Sequence, residues 1–140
     1  MATLGSPVLR VEDRPLLVGA SAFIADLPLP GVLDVSYVTA TLAHGRIRSI
    51  DVGAARAVPG VVDVVTAADL DLGPVPPTNA AFPKEMERPL LAADRVRFVG
   101  EAVVAIVAET ASAGADAAAL VEVEYEPLPA VVDPEAASGG

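Results

Sequence analysis

The sequence predicts an α+β fold. Short stretches of strand character recur along the chain, only two stretches have helical character, and the first connection between strands is brief. That connection, nine residues from 52 to 60, falls short of the dozen or more that a parallel crossover needs. The expected order is strand, strand, short helix, strand, long loop, strand, helix, strand. This makes four to six strands and two main helices in one domain, and a Rossmann-like sheet is not expected.

Residues 1–30 hold two Gly and four Pro without sustained periodicity, and Leu16-Leu17-Val18-Gly19 and Phe23-Ile24-Ala25-Asp26 read as short extended pieces or turns. The run 33–39 (LDVSYVT) alternates, with Leu33, Val35 and Tyr37 on one face of a half-buried strand. The run 46–51 (RIRSID) alternates more weakly, with Ile47 and Ser49 opposite Arg48 and Ile50. Asp51 stands where a carboxylate can accept from the free N–H groups of a short helix over 52–58, which Pro59-Gly60 ends. Residues 61–66 (VVDVVT) form a β-branched buried strand.

From 71 to 91 five prolines interrupt every period. A loop of this length is usually functional or laid over a partner, and Val75, Phe82, Met86 and Leu90 make it the expected contact segment. Extended structure returns at 96–99. A fully apolar buried strand follows at 102–108 (AVVAIVA), flanked by Glu101 and Glu109. Thr110 caps an Ala-rich helix over 111–120 that tolerates Gly114 at a cost of about 1 kcal/mol. In 121–126 (VEVEYE), Val121, Val123 and Tyr125 face in and Glu122, Glu124 and Glu126 face out. Asp133-Pro134 starts a final turn.

Composition narrows the function classes. The chain is 53% hydrophobic and 20% charged, which excludes a natively disordered protein, and with 4% aromatics its core is aliphatic. There is no cysteine, so disulfides, thiolate metal sites, iron–sulfur ligation and a Cys nucleophile are excluded. A net charge of −10 repels polyanions, so nucleic acid is not an expected partner. The first residues lack the apolar core of a secretory signal, and the longest apolar run is far below the ~20 residues that span a bilayer. A soluble, cytoplasmic protein without a membrane partner is expected.

No catalytic constellation emerges. His44 is the single histidine and its neighbours Ala43 and Gly45 offer no partner, so a structural role is expected. Glu122, Glu124 and Glu126 form a flat solvated row rather than the convergent oxygens of a cation site. Gly100 belongs to no phosphate-binding loop and reads as a backbone position needing positive φ or close approach. Glu12/Asp13 and Glu85/Glu87 are unorganised loop acids, and no Gly-x-Ser-x-Gly elbow is present. No residue is assigned as catalytic, cofactor-binding or metal-ligating.

Three ordered stretches carry a resemblance. The first is Arg10-Val11-Glu12-Asp13 with Leu17-Val18-Gly19 and Phe23-Ile24-Ala25-Asp26-Leu27. The second runs from Pro30-Gly31-Val32-Leu33 through Ala43-His44-Gly45-Arg46-Ile47 and Pro59-Gly60-Val61 to Asp69-Leu70. The third joins Phe98-Val99-Gly100-Glu101-Ala102-Val103 to Val121-Glu122-Val123-Glu124-Tyr125-Glu126-Pro127-Leu128-Pro129. Together they resemble the α/β-hammerhead domain that opens the molybdopterin-binding large subunit of the xanthine dehydrogenase, aldehyde oxidase and aerobic carbon monoxide dehydrogenase family. Where that family has Ser-Pro this chain has Ala40-Thr41, Gly45 replaces an Ala, and Ala102 replaces a Pro. These changes are expected to loosen two turns without altering the fold.

The resemblance implies a single hammerhead domain over 1–140 with a mixed sheet, frayed at 1–8 and 136–140, with 71–91 as its long loop. It implies a structural and assembly role in an oxidoreductase that acts on a small substrate at a molybdenum–molybdopterin centre. Iron–sulfur clusters and FAD then lie on partner domains or subunits. The family's pterin-binding loops and base glutamate lie downstream, so none falls on a position here and no cofactor is expected in this chain. The expected partners are the remainder of the large subunit and the iron–sulfur and flavin subunits. A free-standing acidic interaction module derived from such a domain is the alternative.

Overall fold

A computed structural model describes residue 5 and residues 10–24, 27, 29–79 and 81–138. The chain divides into two units, Met1–Val32 and Leu33–Gly140. In the first, the stretch 16–19, expected as a short extended piece or turn, is the end of α1 (Asp13–Leu17) followed by a turn at Val18 and Gly19. Pro15 sits in the first turn, where its missing N–H would have had no helical partner, so it does not break the helix. Leu16 N–H donates to Glu12 O at 3.1 Å, and Val18 and Gly19 then turn the chain, Gly19 with φ 68°. Ala25 and Asp26 lie outside the described residues.

The second unit holds β1 (Asp34–Thr39), β2 (Gly45–Asp51), α2 (Gly53–Arg56), β3 (Val61–Thr66), β4 (Arg95–Val96), β5 (Ala102–Ala108), α3 (Ala111–Ala118), β6 (Glu122–Pro127) and α4 (Pro134–Ser138). The strands form two three-stranded sheets, ordered β1-β5-β3 and β4-β2-β6. The α+β, hammerhead-like expectation holds, with the expected mixed sheet resolved into two sheets whose described pairings are all antiparallel. The core between the elements is aliphatic: Val64, Val96, Val103, Val104 and Ile106 are its largest fully buried side chains, with Ala55, Ala92 and Ala117.

In the first sheet β5 is central, pairing Ser36 with Ile106 and Tyr37 with Ala105 on one side, and Val64 with Ile106 and Val65 with Ala105 on the other. Helix α3 covers the face that carries Ser36, Val38, Val104 and Ile106. Thr110 caps the helix as expected, its hydroxyl accepting from Ala113 N–H at 3.2 Å. Gly114 is more than tolerated: a Cβ there would lie 2.5 Å from Ser36 Oγ, so the missing side chain lets the helix settle on β1. This covering inverts the expectation for β1. Ser36 and Val38 are the shielded residues, while Val35 and Tyr37 are exposed. For the same reason Ala105 and Val107 of β5, on the uncovered face, are only half-buried.

The second sheet departs from strict alternation. Ile47 pairs with Tyr125 and Ile50 with Val123, with a register shift between Ile47 and Ser49. The extra residue, Arg48, lets Ile47 and Ile50 share the inner face where alternation had placed them on opposite faces. Residues 121–126 behave as expected, with Val123 and Tyr125 packed on the core and Glu122 and Glu124 exposed. Asp51 Oδ1 accepts from Gly53 N–H at 2.8 Å, but α2 is shorter than the expected 52–58. Asp133 likewise accepts from Glu135 N–H at 2.9 Å and opens α4.

Extended structure expected at 96–99 ends at Val96. Gly100 takes φ 91° and turns the chain back, as its reading as a positive-φ position anticipated. Gly45 also departs from expectation: a Cβ there would lie 2.6 Å from Leu42 Cδ1 and 3.1 Å from Glu126 O, so the residue permits close packing rather than a looser turn.

Candidate functional site

The loop over 71–91 is held at its waist. Val75 N–H donates to Arg88 O at 2.7 Å and Arg88 N–H to Val75 O at 3.1 Å. The Asn79 side chain accepts from Ala81 N–H at 2.9 Å, and Lys84–Met86 form a single 3-10 turn. Leu91 and Ala92, both buried, anchor the end of the loop in the core. The apolar side chains before that anchor, Val75, Phe82, Met86 and Leu90, are exposed by 42–51%.

Between this loop and the 97–101 turn lies a cleft of about 330 Å³. Phe82, Met86 and Phe98 give it apolar walls, and Arg88 and Arg97 also line it. Its floor includes Glu101, the one buried acidic side chain among the described residues. Glu101 Oε2 accepts from Arg97 N–H at 2.5 Å and Oε1 from Arg97 Nη1 at 3.2 Å, so its charge is met and it pins the turn. Arg88 has no ion pair among the described residues.

The sequence shows Glu101 as a flank of the buried strand and as part of the third family-like stretch, and neither gives it a partner. The signal available was Arg97 four residues earlier, with Gly100 between them to reverse the chain.

The residues weighed in the sequence are dispersed. His44 Nδ1 lies 2.7 Å from Pro129 O, and His44 O accepts from Leu128 N–H at 3.0 Å, so the residue ties the chain after β6 to the start of β2. Glu126 pairs with Arg48, and with Arg46 at 3.8 Å, while Ser49 Oγ donates to Glu124 at 3.2 Å. Asp13 pairs with Arg10 at 3.6 Å in the first unit. Glu87 lines the cleft, and the side chain of Glu85 lies outside the described set.

Among the described residues there is no group of three or more His, Cys, Asp or Glu that could hold a metal ion, and no buried side-chain polar atom lacks a partner. Among the described residues no helix is long and apolar enough to cross a membrane.

Residues 18–129 match the family described as the a/b hammerhead domain of aldehyde oxidase and xanthine dehydrogenase. The chain is 42% identical to the gamma subunit of the 6-hydroxypseudooxynicotine dehydrogenase complex of Paenarthrobacter nicotinovorans, covering 99% of this chain and 18% of that one. It is 40% identical to the carbon monoxide dehydrogenase large chain of Afipia carboxidovorans, covering 94% of this chain and 16% of that one. Among solved structures, it superposes on the Cu,Mo-CO dehydrogenase in its carbon monoxide reduced state with a TM-score of 0.85 at 40% identity, over 95% of this chain and 16% of that one. On quinoline 2-oxidoreductase from Pseudomonas putida 86 the TM-score is 0.85 at 44% identity, over 96% of this chain and 17% of that one. The chain thus spans less than a fifth of the length of these relatives.

Proposed function

The chain belongs to the a/b hammerhead domain family of aldehyde oxidase and xanthine dehydrogenase, and from that premise we propose that it is a structural and assembly domain of a molybdenum hydroxylase, without a catalytic centre of its own. In this reading the molybdenum–molybdopterin centre lies on the remainder of the large chain, and iron–sulfur clusters and FAD lie on partner domains or subunits. The domain's task is to present a surface on which that body is built.

The observation that carries the reading is the 71–91 loop. It is anchored at Leu91 and tied across its waist at Val75 and Arg88, yet it leaves Phe82, Met86 and Leu90 about half exposed. A loop fixed in place with its apolar side chains turned outward is shaped for a contact rather than for chain connection. Hydrogen exchange tests this, on the chain alone and mixed with the Afipia carbon monoxide dehydrogenase large chain from which the matching segment has been removed. Amides in 71–91 are expected to gain protection on mixing. Strong protection in isolation that does not change on mixing would overturn the contact assignment.

A further inference from the structure

We propose that the uncovered face of the β1-β5-β3 sheet is a second docking surface, and that its occupant is an apolar surface of the large-chain body. The inference rests on the assembly role proposed above and assigns it to a face that the loop does not reach in sequence.

Strand β5 (AVVAIVA) is apolar on both of its faces, a composition suited to a strand covered from both sides. Helix α3 covers only one. On the other, Val35 and Tyr37 are 51% and 57% exposed, and they pair in register with Val107 and Ala105. This gives a patch of aliphatic and aromatic side chains on β1 and β5, bordered on β3 by Asp63, which pairs with Val107. The outward face of the β4-β2-β6 sheet, by contrast, carries Arg46, Arg48, Glu122 and Glu124, so an apolar exterior is not general to this domain.

Two observations select the occupant. In the relatives matched over nearly all of this chain, more than four-fifths of the polypeptide lies outside the match, so a large body accompanies this domain. A second copy is the competing occupant, and charge opposes it. Each copy carries −10, so two copies repel one another.

The test compares Val35→Glu and Tyr37→Glu with Glu124→Lys on the charged face. Binding to the Afipia large chain lacking its matching segment is measured by calorimetry, alongside melting and mass in solution of the 140-residue chain alone. Val35→Thr and Tyr37→Ser, which remove apolar character without adding charge, serve if a glutamate variant fails to fold. Val35→Glu and Tyr37→Glu are expected to weaken binding at least about ten-fold and Glu124→Lys less than about two-fold, with melting of the isolated chain unchanged. Wild-type affinity in both face variants overturns the proposal, as does equal weakening by Glu124→Lys. A wild-type dimer that the face variants dissociate assigns the face to a second copy and overturns it. A collapse in melting temperature for Val35→Thr and Tyr37→Ser shows the face to be covered within the chain and also overturns it. Failure of the wild type to bind at all is a different result, and it falls on the assembly role itself.

Discussion

In the β4-β2-β6 sheet the inner face carries Ile47, Ile50, Val123 and Tyr125, and the outer face is polar, with Arg46 and Arg48 set against Glu126 and Ser49 against Glu124. In the β1-β5-β3 sheet the inner face carries Val38, Val64, Val104 and Ile106 around Ser36, but the outer one shows Val35, Tyr37 and the half-buried Val107. The two sheets share a chain and a core. They differ in what their second face is built to meet, which is water for one and protein for the other. Charge on an outer face ends a sheet, because water completes the hydrogen bonding of every group there. Apolar side chains on it leave hydration unfavourable until another layer arrives.

The largest expected effect tests the two faces of one strand pair against each other. Ile106, fully buried under α3, and Val35, exposed on the opposite face, are close in space. Ile106→Asp buries a charge without a partner and is expected to cost about 4 kcal/mol or more, enough to unfold the isolated domain. Val35→Asp leaves its carboxylate in water and is expected to cost within about 1 kcal/mol. Chemical denaturation followed by circular dichroism measures both. Similar losses for the two variants would remove the distinction between the faces.

The sequence displays each sheet's alternation, but alternation does not say which side will be covered. Residues 33–39 and 121–126 show the same period, and in 121–126 the apolar set does face the core. In β1 the apolar set faces out because Gly114 brings α3 down on Ser36, a long-range fit that no local period records. The inward placement of both Ile47 and Ile50 was hidden for a related reason, since it depends on the bulge at Arg48, and bulges arise from pairing with a partner strand. Local signals were legible where their physics is local: Thr110 and Asp133 as caps, Gly100 as a left-handed turn, Pro59-Gly60 as a stop. The cleft was legible only in part. The loop's apolar residues could be read as a contact segment, but the approach of Phe98 and Glu101 from the 97–101 turn could not.

A smaller effect comes from the helix that closes the inner face. Ala is the better helix former than Gly by up to about 1 kcal/mol, so propensity alone favours Gly114→Ala. The added Cβ, however, would lie 2.5 Å from Ser36 Oγ and 3.2 Å from Ser36 Cβ, forcing the helix off β1. A net loss of about 1–2 kcal/mol is expected, shrinking by about half or more in a Ser36→Ala background where the hydroxyl is gone. Denaturation of the two single variants and the double variant closes the cycle, and equal costs in both backgrounds would show that Ser36 does not set the helix position.

The smallest effect distinguishes how each sheet holds the acid at its margin. After β3, Asp69 accepts from Thr66 Oγ1 at 2.7 Å and from Thr66 N–H at 2.8 Å, and these bonds hold its carboxyl below the ordinary value of 3.8. Before β4, Asp94 is lowered chiefly by the hydrogen bond from Arg95 Nε at 2.9 Å, with the charges of Arg95 and Arg97 adding to it. Both pKa values are depressed in the folded state, so the stability they contribute is present above the unfolded-state value and is lost as pH falls through the folded one. Both are led by a hydrogen bond, but the donors differ. Asp69 accepts from an uncharged hydroxyl and N–H, with the Arg56 charge adding least, whereas Asp94 accepts from a guanidinium whose attraction, with that of Arg97, is screened once the Debye length falls to about 3 Å at 1 M. Carboxyl titration by NMR at low salt and at 1 M is expected to return Asp94 part of the way to its ordinary value and to leave Asp69 nearly unmoved. Thr66→Ala is expected to do the reverse, raising Asp69 and leaving Asp94 in place. Equal salt shifts at the two sites would show that charge, not the local hydroxyl, holds the acid beside the first sheet.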